Sequence, residues 1–236
     1  MSLVGRHFNI IRSFGPYIMK STISDELHGI LLSKANKVRK DEKLKRQNDY
    51  RKALAGNLSE EYSYANALTH EEDRIVHEEL TWLASQFTKF SKEVLLKNDL
   101  VREPKDLILK KPVWVNFMKS GEWNPSHNHT DDISCVTYLQ VPKEIEEENR
   151  SSELSSKSNT PCAGKLEFSY GDEIGYSSTG VSINPREKDI YFFPAKLHHL
   201  VYPFKSKKER ISVSANFADK IMALRNLHAS TSKRDI

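Results

Sequence analysis

Two short stretches of this sequence place metal-ligating side chains where a buried strand would ordinarily hold apolar ones. The first is His127-Asn128-His129-Thr130-Asp131-Asp132, just ahead of the alternating run 134–141. Side chains of an extended chain point to opposite faces in turn, so His127, His129 and Asp131 are expected on one face. Both the His127-x-His129 pair and the His129-x-Asp131 pair are spaced to clamp one metal ion from one strand. The second stretch, 193–203, follows an aromatic strand and supplies a distant histidine, His199, with His198 beside it. A His-x-carboxylate pair and a distant histidine, with coordination positions left open, form the facial triad that suits non-heme Fe(II).

A third stretch offers an anion site. In 210–217, Ile211, Val213, Ala215 and Phe217 fall on one face of a strand. Arg210, Ser212, Ser214 and Asn216 fall on the other. An arginine and a serine two apart on an inward face make a carboxylate anchor, with a bidentate guanidinium and a hydroxyl beside it. Arg210 follows His199 by eleven positions, enough for one turn and part of the next antiparallel strand.

Something must hold these residues in register. From residue 111 onward the pattern is strand-like: 113–118, 134–141, 165–170, 189–193 and 210–217 alternate. Turn signals separate these runs, among them Ser120-Gly121, Gly171-Asp172, Asn184-Pro185 and Tyr202-Pro203. Short strands with turns between them indicate a sandwich or barrel. Ahead of residue 104 the pattern is helical. Val76, Leu80, Leu83, Phe87, Phe90 and Val94 mark one helix face, and Thr69 with Glu72 forms a capping box at its start. An earlier helix is expected from Ser24, with Leu27, Ile30, Leu31, Ala35 and Val38 on one side. Trp82 is expected to pack in this helical part. The segment 143–163 is rich in Ser, Glu, Lys and Asn and reads as a mobile inserted loop. The expected division is a helical region 1–110, a barrel core 111–219 carrying that loop, and a tail 220–236.

The composition sets outer limits. The chain has 236 residues, 38% hydrophobic and 29% charged, with 22 aromatic residues. Mean hydropathy is −0.61. That aromatic content excludes disorder throughout. No apolar run approaches the roughly 20 residues a membrane-spanning helix needs, so no membrane role is expected. The start does not read as a secretion signal. Two cysteines, Cys135 and Cys162, are too few for a disulfide framework, and a reducing, cytoplasmic setting is expected. The net charge is +4, and nine basic residues against three acidic ones fall in 34–52. Such a run suits a solvated helix face first and phosphate contacts second.

Together these features resemble the Fe(II)- and 2-oxoglutarate-dependent oxygenases, in particular a group from marine phages and bacteria distantly related to prolyl 4-hydroxylases. The resemblance is carried by Trp114-Val115-Asn116, Gly121, His127-x-His129, Ser134-x-Val136-x-Tyr138-Leu139, Pro142 and Phe193-Pro194. It continues through Leu197-x-His199-x-Val201-x-Pro203 and Arg210-Ile211-Ser212 to Asn216-Phe217. Phe14-Gly15-Pro16 and Leu54-Ala55-Gly56 resemble leading regions of the same group, less specifically. The resemblance implies an α+β fold: a double-stranded β-helix, or jelly roll, with N-terminal supporting helices and the metal at one mouth. It implies Fe(II), with 2-oxoglutarate and O2 as co-substrates, and hydroxylation of a substrate with release of succinate and CO2.

The resemblance also implies roles. His199, rather than His198, matches the distal iron ligand. Arg210 matches the residue that binds the 5-carboxylate of 2-oxoglutarate, helped by Ser212. Tyr138 and Asn116 are expected along the co-substrate pocket. Two ligand sets compete. His129, Asp131 and His199 is preferred, because a carboxylate neutralises part of the iron charge. The alternative takes His127 with His129 and His199. The substrate is left open between a protein, a small molecule and a nucleic acid. Two other functions compete: a non-catalytic barrel that binds a ligand or partner, and a three-histidine iron dioxygenase that does not use 2-oxoglutarate.

Overall fold

The computed structural model describes residues 15–151, 160–172, 174–175 and 177–224. In chain order the elements are β1 (Met19–Thr22), α1 (Asp25–Lys40), α2 (Glu42–Asn48), β2 (Glu60–Ser63), α3 (His70–Val94), β3 (Leu107–Leu109), β4 (Trp114–Met118), β5 (Asn124–His127), β6 (Ile133–Gln140), α4 (Lys143–Ser151), β7 (Leu166–Ser169), β8 (Gly180–Ile183), β9 (Asp189–Pro194), β10 (His198–Val201) and β11 (Arg210–Asp219). Both long helices start where the sequence places caps. The Ser24 side chain accepts from the Leu27 amide, and Thr69 and Glu72 exchange both bonds of a capping box. Each cap satisfies amides that the first turn would otherwise leave open.

The strands form two antiparallel sheets. The major sheet runs β1-β9-β6-β11-β4-β2, with β3 added along the far end of β11. The minor sheet runs β5-β10-β7-β8. Period-two alternation sorts the major sheet into two surfaces. Val115, Phe117, Leu139, Ile190, Phe192, Ile211, Val213 and Phe217 join one buried cluster with Leu27, Leu31 and Val38 of α1 and Val76, Leu80 and Phe87 of α3. A smaller cluster lies between the sheets, where Met118 and Phe193 of the major sheet meet Leu166, Phe168 and Val201 of the minor one. This is the flattened two-sheet barrel with helices on one face that the sequence indicates.

Several expectations change. The stretch 1–110 is not purely helical, because β1, β2 and β3 come from it and join the major sheet. At three or four residues these strands are too short to show alternation. The segment 143–163 opens with a helix, α4, rather than a loop; Ile145 buries one side of it while its charges face outward. Residues 152–159 of that segment, 225–236 of the tail and the first 14 residues lie outside the described residues. Trp82 is 54% exposed and Phe90 43%. The buried stripe of α3 includes Ala84, Ser85, Thr88 and Ser91 instead. Three of the nine basic residues in 34–52 are held in close ion pairs: Lys34 with Glu72, Arg39 with Glu60 and Glu209, and Arg51 with Asp49. Among the described residues no helix is long and apolar enough to cross a membrane.

Candidate metal centre and its cavity

β5 and β10 pair antiparallel, and their register sets His127 opposite His199. His129 lies just past the end of β5, where its amide donates to the Ala195 carbonyl at 2.8 Å. One ligand nitrogen from each of His127, His129 and His199 lies within 4.8 Å of the others. The ring centroids of His127 and His199 are 4.3 Å apart, and those of His127 and His129 are 5.2 Å apart. His129 and His199 are separated by 5.1 Å.

The backbone selects the tautomers. His127 Nδ1 lies 2.7 Å from the Pro125 carbonyl oxygen, and His199 Nδ1 lies 3.0 Å from that of Leu197. A carbonyl oxygen only accepts, so both Nδ1 atoms carry the proton and both Nε2 atoms keep a lone pair for a metal. Burial, and then the neighbouring His127, pushes His199 down to about 3 and His129 down to about 4. Near neutral pH these two imidazoles are therefore neutral, the form that ligates. Phe168 and Phe193 close over the His199 ring, and Trp114 flanks His129. The three histidines fit an iron ion. His198 is exposed, next to Asn128.

Asp131 stands outside this group. The preferred ligand set from sequence assumed an extended chain from His127 to Asp131. Instead β5 ends at His127, and residues 130–132 form a bend. The Asp132 amide donates to the Phe217 carbonyl, and its carboxylate accepts from the Asp219 amide at 2.8 Å. The chain thus turns between the Ala195 contact and the Phe217 contact, and alternation no longer governs where the Asp131 side chain goes.

The same cavity receives residues from the inner surface of the major sheet. Arg210, Ser212, Tyr138 and Asn116 all line it with the histidines. Ser212 is cross-strand neighbour to Asn116 on β4 and to Tyr138 on β6. Arg210 is 2% exposed. It donates Nη1–H to the Gly164 carbonyl at 2.8 Å and places Nη2 3.0 Å from the Met118 sulfur. Its guanidinium carbon sits 5.4 Å from the centroid of the Tyr138 ring. Its Nε has no partner, and neither does Asn116 Oδ1. No carboxylate of the described chain pairs with this guanidinium, and a buried unpaired cation is costly unless a ligand completes it.

The cavity contains residues that sequence reasoning passes over. Glu61 of β2, Asn124 of β5 and the 53–56 turn line it too. Glu61 sits in a four-residue strand among polar neighbours, so no periodicity marks it. Nothing in Leu54-Ala55-Gly56, a weak part of the resemblance, shows that this stretch lines the site.

Residues 112–216 match the family model described as "Putative 2OG-Fe(II) oxygenase". No curated protein matches the chain. Among solved structures, the chain is similar to AviO1 from Streptomyces viridochromogenes Tue57, at 14% identity and a TM-score of 0.55, over 88% of this chain and 91% of that one. It is similar to a prolyl hydroxylase from Trichoplax adhaerens, solved with a hypoxia inducible factor peptide, at 12% identity and a TM-score of 0.51, over 87% and 84%. The 2-oxoglutarate-dependent (alpha-ketoglutarate) epimerase SnoN of nogalamycin biosynthesis is similar at 12% identity and a TM-score of 0.51, over 86% and 78%. At these identities the likeness shows the fold, a double-stranded β-helix. Residues 112–216, the greater part of the barrel, thus carry the match to a 2-oxoglutarate- and Fe(II)-dependent oxygenase family, one that works with Fe(II), 2-oxoglutarate and O2.

Proposed function

We propose that this protein is a dioxygenase that hydroxylates its substrate, with His127, His129 and His199 holding Fe(II) and Arg210 with Ser212 anchoring 2-oxoglutarate. The observation that carries the reading is the unpartnered, buried Nε of Arg210 in the cavity that the three histidines share. Bound there, Fe(II) and 2-oxoglutarate supply the activation of O2, with succinate and CO2 as co-products. The protein's own residues do the rest. The Pro125 and Leu197 carbonyls fix two imidazoles, Arg210 and Ser212 orient a carboxylate, and Tyr138 and Asn116 bound that end of the cavity. Phe168, Phe193 and Trp114 keep water from the metal side.

Arg210 also weighs against an iron dioxygenase that ignores 2-oxoglutarate, which would have no use for a buried cation there. A non-catalytic barrel would need neither the converging imidazoles nor the cation. Cys135 and Cys162 are both free thiols, which suits the cytoplasm. The substrate class stays within protein, small molecule or nucleic acid.

The test is an anaerobic Fe(II) titration followed by an aerobic assay of succinate release. The protein should bind one iron and release succinate from 2-oxoglutarate. His127→Ala should lose iron affinity by at least about 100-fold, while Asp131→Ala should stay within about threefold. The absence of both succinate and 2-oxoglutarate binding sinks the proposal. Iron lost in the Asp131 variant and kept in the His127 variant would restore the carboxylate set.

A further inference from the structure

Glu61 has no part in the reading above, yet it faces the same cavity. It is 1% exposed, and its Oε2 has no hydrogen-bond partner. Asn124 Oδ1, also buried and also without a partner, lines the cavity with it. The two side chains meet over Gly56. A Cβ at Gly56 would lie 2.4 Å from Asn124 Oδ1 and 2.7 Å from Glu61 Oε1, so only the absence of a side chain there lets both oxygens settle against its backbone.

Nothing in the described protein neutralises this carboxyl. Arg51 is the nearby cation, and its Nε and Nη2 go to Asp49 at 2.9 and 2.6 Å, with Nη1 on the Ser59 carbonyl. Glu122 and Asp49 add like charge, and Arg51 offsets it only in part. Register separates the two poles of the cavity. Asn116 is the cross-strand neighbour of Glu61 on one side and of Ser212 on the other. At about 4.8 Å per strand, Glu61 and Ser212 are roughly 10 Å apart. The Arg210 end attracts a dianion such as 2-oxoglutarate, and the Glu61 end repels it. An ionised carboxylate is acceptor-only, and the Asn124 and Asn116 oxygens add acceptors. The complement of such a pole is a positively charged group rich in N–H donors.

We infer that Glu61, with Asn124, recognises the primary substrate, and that the group it takes is a cation with several N–H donors, an ammonium or a guanidinium. This deepens the dioxygenase reading and rests on it for the meaning of "substrate". The glutamate is a specificity residue, because it receives a part of the substrate that is not the part oxidised. Burial pushes its carboxyl up to about 7, as expected for an acid still lacking its counter-ion.

The test uses the full chain in two calorimetric titrations, run anaerobically with Fe(II). One adds 2-oxoglutarate. The other, at pH 8 with 2-oxoglutarate present, adds methylguanidinium, and in a parallel run its neutral isostere methylurea. Methylguanidinium should bind at least about tenfold tighter than methylurea, a difference of about 1.4 kcal/mol. Glu61→Gln should bring the two within about threefold while leaving 2-oxoglutarate affinity in place, which also shows that the variant is folded. Gly56→Ala, whose methyl would push the Glu61 and Asn124 oxygens aside without changing charge, should weaken methylguanidinium as well. Methylurea binding as tightly as the cation, or a preference that survives Glu61→Gln, overturns the inference. A lost 2-oxoglutarate titration with an intact cation preference strikes the dioxygenase reading instead.

Discussion

The two surfaces of the major sheet are made by alternate residues of the same strands, and they are opposites. Outward along β4 and β11 stand Val115, Phe117, Ile211 and Val213, packed with α1 and α3. Inward stand Asn116, Arg210 and Ser212, in a cavity with unpartnered polar atoms. β2 repeats the contrast in two adjacent residues. Glu60 is bound by Arg39 through Nε and Nη2 and by Lys119 at 2.7 Å, and its carboxyl is pushed down to about 2. Burial opposes that shift, and the two cations overcome it. Glu61 is penalised by burial too, but no cation is bonded to it, Arg51 offsets the penalty only in part, and its carboxyl is pushed up to about 7. One surface is finished by the protein itself. The other is left incomplete, as a binding site must be.

If that division is right, damage to the two surfaces should be felt in different measurements. The largest effect is expected from Phe192→Ala. Phe192 is fully buried on the outward surface and stacks near Phe87 and Phe217. Truncating it should cost about 3–5 kcal/mol of stability in urea denaturation, with iron and 2-oxoglutarate affinity per folded molecule unchanged. A loss under about 1 kcal/mol would mean that the helices do not rest on this surface.

Next comes Arg210→Met. It should weaken 2-oxoglutarate binding by about 100-fold, or about 2.7 kcal/mol. Stability should move by less than about 1.5 kcal/mol, because replacing an unpaired buried cation by an apolar chain of similar length relieves desolvation. A large stability loss with unchanged 2-oxoglutarate affinity would make Arg210 a structural residue.

The outward surface was also the legible one. β4, β6, β9 and β11 alternate long enough for their period to be read, and α1 and α3 announce their starts at Ser24 and at Thr69 with Glu72. β1, β2 and β3 were hidden because three or four residues cannot show a period, and α4 because its charges outweigh its single buried Ile145. Around the cavity, Arg210 and Ser212 on the inward surface and His127, His129 and His199 across from it stood out as polar residues in strand-like contexts. Asp131 falls outside the three-histidine group because spacing predicts direction only while the chain stays extended, and it bends at 130–132. Glu61 and Asn124 gave no signal, since their meaning lies in what the 53–56 turn leaves uncovered in space.

The smallest effect separates Glu61 from Glu60 by pH. The folded carboxyl of Glu61, at about 7, lies above its ordinary value of 4.5. The folded state therefore holds a proton that the unfolded state releases, and stability from this residue is fully present below pH 4.5 and lost as pH rises through about 7. Glu61→Gln has nothing to titrate there and keeps a neutral group of the same shape. The variant should match the wild type at pH 4 and be the more stable protein at pH 8. Glu60 runs the other way. Its depressed carboxyl contributes stability above pH 4.5 that is lost only as pH falls toward 2, so Glu60→Gln should be the less stable protein at pH 8. Urea denaturation of both variants at pH 4, 6 and 8 reads the two signs directly. Parallel losses in the two variants at pH 8 would mean that Glu61 already has its counter-charge within the protein, and the contrast between the two surfaces of β2 would fail.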